Sequence, residues 1–252
     1  MINRIINESN IIIEVVDSRA IDFTRCEPLE KRIVNKGKLL MIVAMKCDLV
    51  EKSKLEKKLK SLPFPTAYAS YKERKGVNSV KKLIYLLSHK VKKTTGTKKV
   101  KVGIIGYTNV GKSSLINLLT RSQKAKTSPL PAYTKKYQWI KLKEDILLID
   151  TAGIINAKKP EDFIVFRGNV NPEKQECLKH ALLLLEYSKR YENNLEELLK
   201  IKNIASKEPT DILREYAIRR KFYLSNGEED LERASKEIIR KWNNGEIKMF
   251  IE

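Results

Sequence analysis

This chain has little that would staple it, span a bilayer or bind zinc. Its 252 residues include three cysteines, Cys26, Cys47 and Cys177. An odd count without ligand spacing excludes a disulfide framework and a zinc site, and it fits a reducing cytoplasm, the expected location. No apolar run approaches the roughly 20 residues that cross a bilayer, so no membrane partner is expected. The opening MINRIINESNIIIEVV puts Asn and Glu ahead of its apolar run and has no small-residue cleavage site, which is not the pattern of a signal peptide. Aromatics are sparse at 7%, yet hydrophobic residues reach 42%, a composition that folds rather than stays disordered. The remaining absence is local. Between Arg74 and Lys143 there is no Asp or Glu, while 18 Lys and Arg stand there; the rest of the chain holds 33 basic against 31 acidic residues. About a third of the molecule thus carries nearly all of the +20 net charge. Such a field suits a polyphosphate ligand and an RNA backbone.

Short apolar runs alternate with helical patterns. Ile11–Val16, Leu39–Ala44, Thr66–Ala69 and Lys101–Ile105 read as strands. Tyr137–Leu142 and Ile146–Ile149 read as an antiparallel pair. Helices are expected near Glu51–Lys60, over Ser79–Ser88, where Val80, Leu83, Ile84 and Leu87 fall at helical spacing, and from Ser113 to Leu119. Lys90–Lys98 (KVKKTTGTK) reads as a basic, flexible linker. The alternation predicts a three-layer α/β domain with a mostly parallel sheet over residues 1–168. Beyond Gly168 the pattern becomes helical: Asn171–Tyr191, Leu195–Ile204, Thr210–Phe222 and Asp230–Trp242, with Pro172 and Asp211 where helix starts are favoured. Residues 169–252 are therefore expected to form a small all-helical domain.

Gly106-Tyr107-Thr108-Asn109-Val110-Gly111-Lys112-Ser113 fits G-x-x-x-x-G-K-[ST], placed after a strand and before a helix. Glycines let backbone N–H groups curl around phosphate oxygens, and the helix N-terminus adds its dipole. A nucleotide is expected to touch Thr108, Asn109, Val110, Gly111, Lys112, Ser113 and Ser114. Lys112 is placed to reach the β- and γ-phosphates and Ser113 to ligate Mg²⁺. Asp150-Thr151-Ala152-Gly153 ends a strand downstream, where a carboxylate holds Mg²⁺ and the Gly153 N–H can sense a γ-phosphate. Thr134, in the Pro-containing stretch Ser128–Lys136, is a candidate second Mg²⁺ ligand.

Met45-Lys46-Cys47-Asp48 ends the second strand. A carboxylate such as that of Asp48 can accept from the N1–H and N2–H₂ edge of guanine, a donor pair that adenine lacks, while the Lys46 stem can lie over the ring. Ser70-Tyr71-Lys72, with Gly76, follows the next strand and offers backbone N–H groups to guanine O6.

Together these residues resemble the circularly permuted GTPases of the ribosome-assembly type, the YlqF/RbgA family. MKCD and SYK precede GYTNVGKS, then Thr134, then DTAG, which is the permuted order. Asp17-Ser18-Arg19 with Arg25 looks like the family's D-A-R-x-P-x-x-x-R opening. Ala132–Trp139 (AYTKKYQW) looks like its switch sequence, and Arg219–Glu252 is similar to its closing helical region. The resemblance implies a monomeric GTP/GDP-binding hydrolase acting on a ribosomal subunit, usually the large one, through rRNA. It implies Lys112, Asn109 and Thr134 in catalysis, with Mg²⁺ and also K⁺, because Asn109 stands where K⁺-stimulated GTPases carry an asparagine. Met45 replaces the asparagine of N-K-x-D, which predicts weaker guanine binding. Ile154 and Ile155 follow Gly153 where other GTPases place a water-orienting glutamine. These departures leave open a second reading, a nucleotide-regulated RNA-binding scaffold with little hydrolysis. The basic candidates for RNA are Lys92, Lys93, Lys98, Lys135, Lys136, Arg219, Arg220 and Lys221. Because the helical region follows Gly153 within about 20 residues, the segment that senses the γ-phosphate is also expected to tether it.

Overall fold

A computed structural model describes residues 2–120, 138–150, 161–168, 170–173 and 177–251, with the side chains of residues 138, 139, 150, 161 and 162 left out. The described chain forms two compact units, Met1–Ala157 and Lys158–Glu252.

The first unit is an α/β domain. Its elements are α1 (Ile2–Glu8), β1 (Ile11–Asp17), α2 (Ile21–Thr24), α3 (Glu27–Asn35), β2 (Leu39–Met45), α4 (Lys52–Lys60), β3 (Thr66–Ala69), α5 (Val77–Thr95), β4 (Val100–Ile105), α6 (Lys112–Thr120), β5 (Gln138–Lys143) and β6 (Ile146–Asp150). The strands form one sheet in the order β3-β2-β1-β4-β6-β5. All neighbours are parallel except β5, which pairs antiparallel with β6 at the edge. Every residue of β1 is buried, as expected of a central parallel strand covered on both faces. Ile11, Ile12, Ile13, Val15, Met41, Val43, Val102, Ile104 and Leu148 form one core with Val80 and Ile84 of α5 and Leu115 and Ile116 of α6. Each such side chain contributes about 1.5–3 kcal/mol by leaving water. The chain runs outward from β1 through β2 to β3, then returns to the other side of β1 as β4. That reversal opens a crevice outside the C-terminal ends of β1 and β4, the usual ligand position in open α/β sheets.

The strands lie where the apolar runs place them. The linker expected at Lys90–Lys98 does not form: α5 continues to Thr95 and stops at Gly96, which adopts a left-handed conformation and donates its N–H to Lys92 O at 2.9 Å. Val91 extends the buried face begun by Leu87, and lysine is a good helix former, so charge density here marks a solvated helix face. Helices α1 and α3 are additions. Both are short and present few apolar positions, Ile5 and Ile6 in α1, Leu29 and Ile33 in α3.

The second unit packs α7 (Leu178–Ser188), α9 (Pro209–Arg220) and α10 (Leu231–Asn244) on one another, with α8 (Leu195–Leu199) and a 3-10 turn at Glu161–Val165. Trp242 lies in its centre and donates from Nε1 to Val165 O at 3.0 Å, with Phe166 edge-on at 6.0 Å. Residues 161–168, which sequence patterning groups with the first domain, therefore sit in the helical unit. Helix α7 is shorter than the expected Asn171–Tyr191, and α8 ends at Lys200, whose left-handed backbone stops it before Ile204. The proline that opens a helix is Pro209, and Asp211 falls in that helix's first turn. Among the described residues no helix is long and apolar enough to cross a membrane.

Candidate nucleotide-binding site

The motif residues gather along the C-terminal edge of the sheet. β4 ends at Ile105 and the loop from Gly106 to Gly111 leads directly into α6, where Leu115 N donates to Gly111 O at 2.8 Å and opens the helix. Asn109 adopts φ 59°, a left-handed turn that Asn tolerates better than most residues. Gly111 has φ 109°, and a Cβ there would stand 2.9 Å from Met45 Cβ, so the loop lies hard against the β2 end. Lys112 is buried in the loop and its ammonium donates to Tyr107 O. Ser113 and Ser114 follow in the first turn of α6, half buried. β6 runs beside β4 with Ile149 opposite Gly103, which brings the backbone of Asp150 alongside the strand that feeds the loop. Thr134 and Gly153 lie outside the described residues.

On the other side of β4, β1 ends at Asp17 directly opposite Met45 of β2, and Ser18 N donates to Met45 O at 2.9 Å. Asp17 is buried. Its Oδ1 accepts from Arg19 N at 3.0 Å and Arg19 Nε at 3.1 Å, and its Oδ2 from Arg19 Nη2 at 2.8 Å and Lys46 Nζ at 2.7 Å. Burial alone would raise its carboxyl, but Arg19 and Lys46 outweigh burial and hold it well below the usual carboxylate range. Burial draws the Lys46 ammonium below its ordinary value, and Arg19 adds to this against the pull of Asp17 and Asp48. The order and spacing of MKCD and GYTNVGKS, one strand apart on one sheet edge, are the decisive observation.

Residues 101–215 match the model of a family described as 50S ribosome-binding GTPase. MJ1464 of Methanocaldococcus jannaschii, an uncharacterized GTP-binding protein, is 35% identical over 252 residues, covering 99% of this chain and 66% of its own. Nucleolar GTP-binding protein 2 of Saccharomyces cerevisiae is 31% identical over 98% of this chain and 51% of its own. GNP-bound YlqF from T. maritima superposes with a TM-score of 0.70 at 19% identity, over 100% of this chain and 95% of that one. The chain carries a GTPase domain and has the fold of YlqF.

It spans two thirds or less of the length of these curated relatives, 66% of MJ1464 and 51% of the yeast protein. Within the GTPase fold, the proposed base-reading residues come together from two loops. Lys46 has φ 61° and precedes a 3-10 turn, Cys47–Leu49, that carries Asp48. Ser70 and Lys75 exchange backbone hydrogen bonds at 3.1 and 3.2 Å, closing a tight loop in which Ser70 Oγ also accepts from Glu73 N at 3.1 Å. The Ser70 N–H is thereby engaged, and of the SYK segment it is Tyr71 and Lys72, both exposed, whose N–H groups remain candidates for a base oxygen. Gly76 closes the loop at φ 80°, where a Cβ would meet Tyr68 O at 2.1 Å. The two loops share one electrostatic field: burial and then the charges of Asp48 and Glu73 push the Cys47 thiol up to about 11.

Sequence reading did not anticipate that the Lys46 ammonium is held by Asp17, 29 residues away. The only signal was the D-S-R opening itself. Of the basic candidates for RNA, Lys93, Lys98, Arg219, Arg220 and Lys221 are exposed. Lys92 pairs with Asp145 and Arg220 with Glu237, so part of their charge is spent internally, and Lys135 and Lys136 lie outside the described residues.

Proposed function

We propose that this GTPase-family chain binds GTP with Mg²⁺ and hydrolyses it to GDP and phosphate, and that the nucleotide state governs its attachment to rRNA in a ribosomal subunit, the large one, during assembly. The observation that carries this reading is the convergence of the phosphate loop after β4 and the MKCD turn after β2 on one edge of the sheet. In this reading Asp48 and Lys46 read guanine with the Tyr71–Lys72 backbone, and Lys112 and the α6 N-terminus hold the β- and γ-phosphates. Ser113, Thr134 and Asp150 offer only oxygen donors, which suits a small hard cation such as Mg²⁺. Bound Mg²⁺ supplies charge neutralisation on the phosphates, and K⁺ beside Asn109 supplies more where other systems use an arginine. Turnover is slow until a ribosomal particle is bound, the protein acts as a monomer in the cytoplasm, and Lys93, Lys98, Arg219 and Lys221 meet RNA phosphates.

The ribosomal role is supported by the family's description as 50S ribosome-binding and by the nucleolar relatives. Met45 supports the second reading, a nucleotide-regulated RNA-binding scaffold with little hydrolysis: its buried apolar side chain occupies the position of the motif's bracing amide. Phosphate release from GTP and ATP, with and without purified ribosomal subunits, separates the two. The hydrolase reading expects release from GTP alone, accelerated by subunits and by KCl over NaCl. No release in any mixture, with subunit binding that still depends on GTP, selects the scaffold.

A further inference from the structure

Lys46 poses a structural question. It stands in the left-handed region, which strains a residue with a Cβ, and it is the last residue before the turn that carries Asp48. Such a conformation persists only where its surroundings hold it. The holder is on the neighbouring strand. Asp17 Oδ2 takes the Lys46 ammonium, while Arg19 grips both oxygens of the same carboxylate and so fixes its orientation. Arg19 is itself 1% exposed, so its guanidinium is not a solvated surface charge. One carboxylate facing two cations leaves an excess positive charge, which the charge of Asp48, felt at Lys46, offsets. The four side chains form a chain of alternating sign from the end of β1 to the base-reading turn.

We propose that Asp17, oriented by Arg19, is a positioning residue for guanine selection: it fixes Lys46 in its left-handed turn and so sets where the Asp48 carboxylate stands. The proposal rests on the reading of Asp48 as the group that accepts from the guanine edge. Asp17 makes no contact with the nucleotide in this scheme; it acts through Lys46. Its effect therefore falls on discrimination between bases and not on the hold on phosphates, which the loop after β4 provides.

The test is the ratio of affinities for GDP and inosine diphosphate, which lacks only the 2-amino group that Asp48 is placed to read. Calorimetry on the full chain in Mg²⁺ buffer would compare the parent with Asp17→Asn, Arg19→Gln and Asp48→Asn, with thermal melting as the check on folding. Asp17→Asn should lower the GDP preference about tenfold, on the order of one charged hydrogen bond, with inosine diphosphate, which keeps N1–H, weakened less than GDP. Arg19→Gln keeps the Lys46 ion pair but frees the orientation of the Asp17 carboxylate, and should lower the preference by a smaller factor; it decides the matter if Asp17→Asn does not fold. A merely structural role would weaken both nucleotides alike, and that result in both variants overturns the proposal. An Asp48→Asn variant that keeps the parent's ratio overturns the base-reading assignment and the proposal with it. Loss of the ratio in Asp48→Asn, but not in Asp17→Asn or Arg19→Gln, overturns the proposal alone.

Discussion

The two halves of the candidate site are built by different means. On the phosphate side, position is set by backbone: a loop with Gly111 at φ 109°, pressed on Met45, that runs straight into α6. On the base side it is set by charge: Asp17, Arg19, Lys46 and Asp48 in alternation, with Lys46 in a turn it would not adopt unaided. Backbone geometry is indifferent to pH, whereas buried ion pairs are not. The site is therefore expected to lose base choice and phosphate grip under different insults.

The largest effect should come from cutting the charged half. Asp17→Asn leaves two cations facing a neutral amide, and breaking a buried pair in this way costs about 3–5 kcal/mol. Denaturant unfolding at pH 7 should show a loss of that size, and a loss under 1 kcal/mol would mean that the ion pairs hold little. The same logic predicts acid sensitivity. The Asp17 carboxyl is depressed in the folded state, so its contribution is complete above its unfolded value of about 3.9 and declines as pH falls from there toward the folded value. Replacing Asp17 should flatten that limb of the stability curve.

Cutting the backbone half should do less to stability and more to binding. Gly111→Ala combines a strained φ with a close contact on Met45 Cβ, together about 2–4 kcal/mol. Affinity for GDP and for inosine diphosphate should fall together, by about 30-fold or more, with their ratio kept. A change in the ratio would show that the two halves are not separable.

Glu14 sharpens the contrast from within β1. Three residues before Asp17 and equally buried, it is pushed in the opposite direction. Burial and the neighbouring Glu30 carboxylate raise its carboxyl well above the usual range, while the Cys26 N–H and Arg25 only partly offset them. Its Oε1 accepts from Cys26 N at 2.8 Å and its Oε2 receives no donor among the described residues, so a proton on Glu14, given to Glu30, satisfies both groups. Arg25 is already committed to Glu30 at 2.7 and 2.9 Å. The folded state thus binds a proton that the unfolded state releases, and stability falls as pH rises from about 4 to the raised value. Glu14→Gln should abolish that slope and stabilise the protein by about 1 kcal/mol near neutral pH; an unchanged pH profile would place the proton elsewhere.

The smallest expected effect lies on the surface. If rRNA is bound through phosphates, neutralising Lys93, Lys98, Arg219 or Lys221 should lower the slope of log affinity against log salt by roughly 0.7–0.9 each. Lys92 and Arg220, already paired with Asp145 and Glu237, should lower it less. Equal slopes for all six would mean that the internal pairs open on binding.

What the sequence made legible follows this division. The strands declare themselves because a parallel sheet covered on both faces demands continuous apolar runs, as in IIIEVV and LLMIVA. The phosphate loop is local, eight consecutive residues whose types are dictated by backbone approach to an anion. The Asp17–Lys46 pair joins residues at the ends of different strands, and beyond the D-S-R opening nothing in either neighbourhood announces it. Glu14 is a charge within the apolar run IIIEVV, but its partners Glu30 and Arg25 come from a helix and a turn with no strong apolar pattern. At Lys90–Thr95 composition misled, because lysines on the exposed face hid the continuation of α5 through Val91.

The position of β1 at the centre of the sheet also bears on how the chain is made. Synthesis delivers β1, β2 and β3 first, and these can pair at once in their final parallel order. The other edge of β1 is completed only by β4, whose register sets Ile11 against Val102, a separation of about 90 residues. At about 5–20 residues per second the open edge of this buried strand stays unpaired for roughly 5–20 seconds. A strand edge in that state can recruit other chains. The permuted order, which places the proposed base-reading segment ahead of the phosphate-loop motif, thus carries a window of exposure during translation that closes only when the strand feeding that loop emerges.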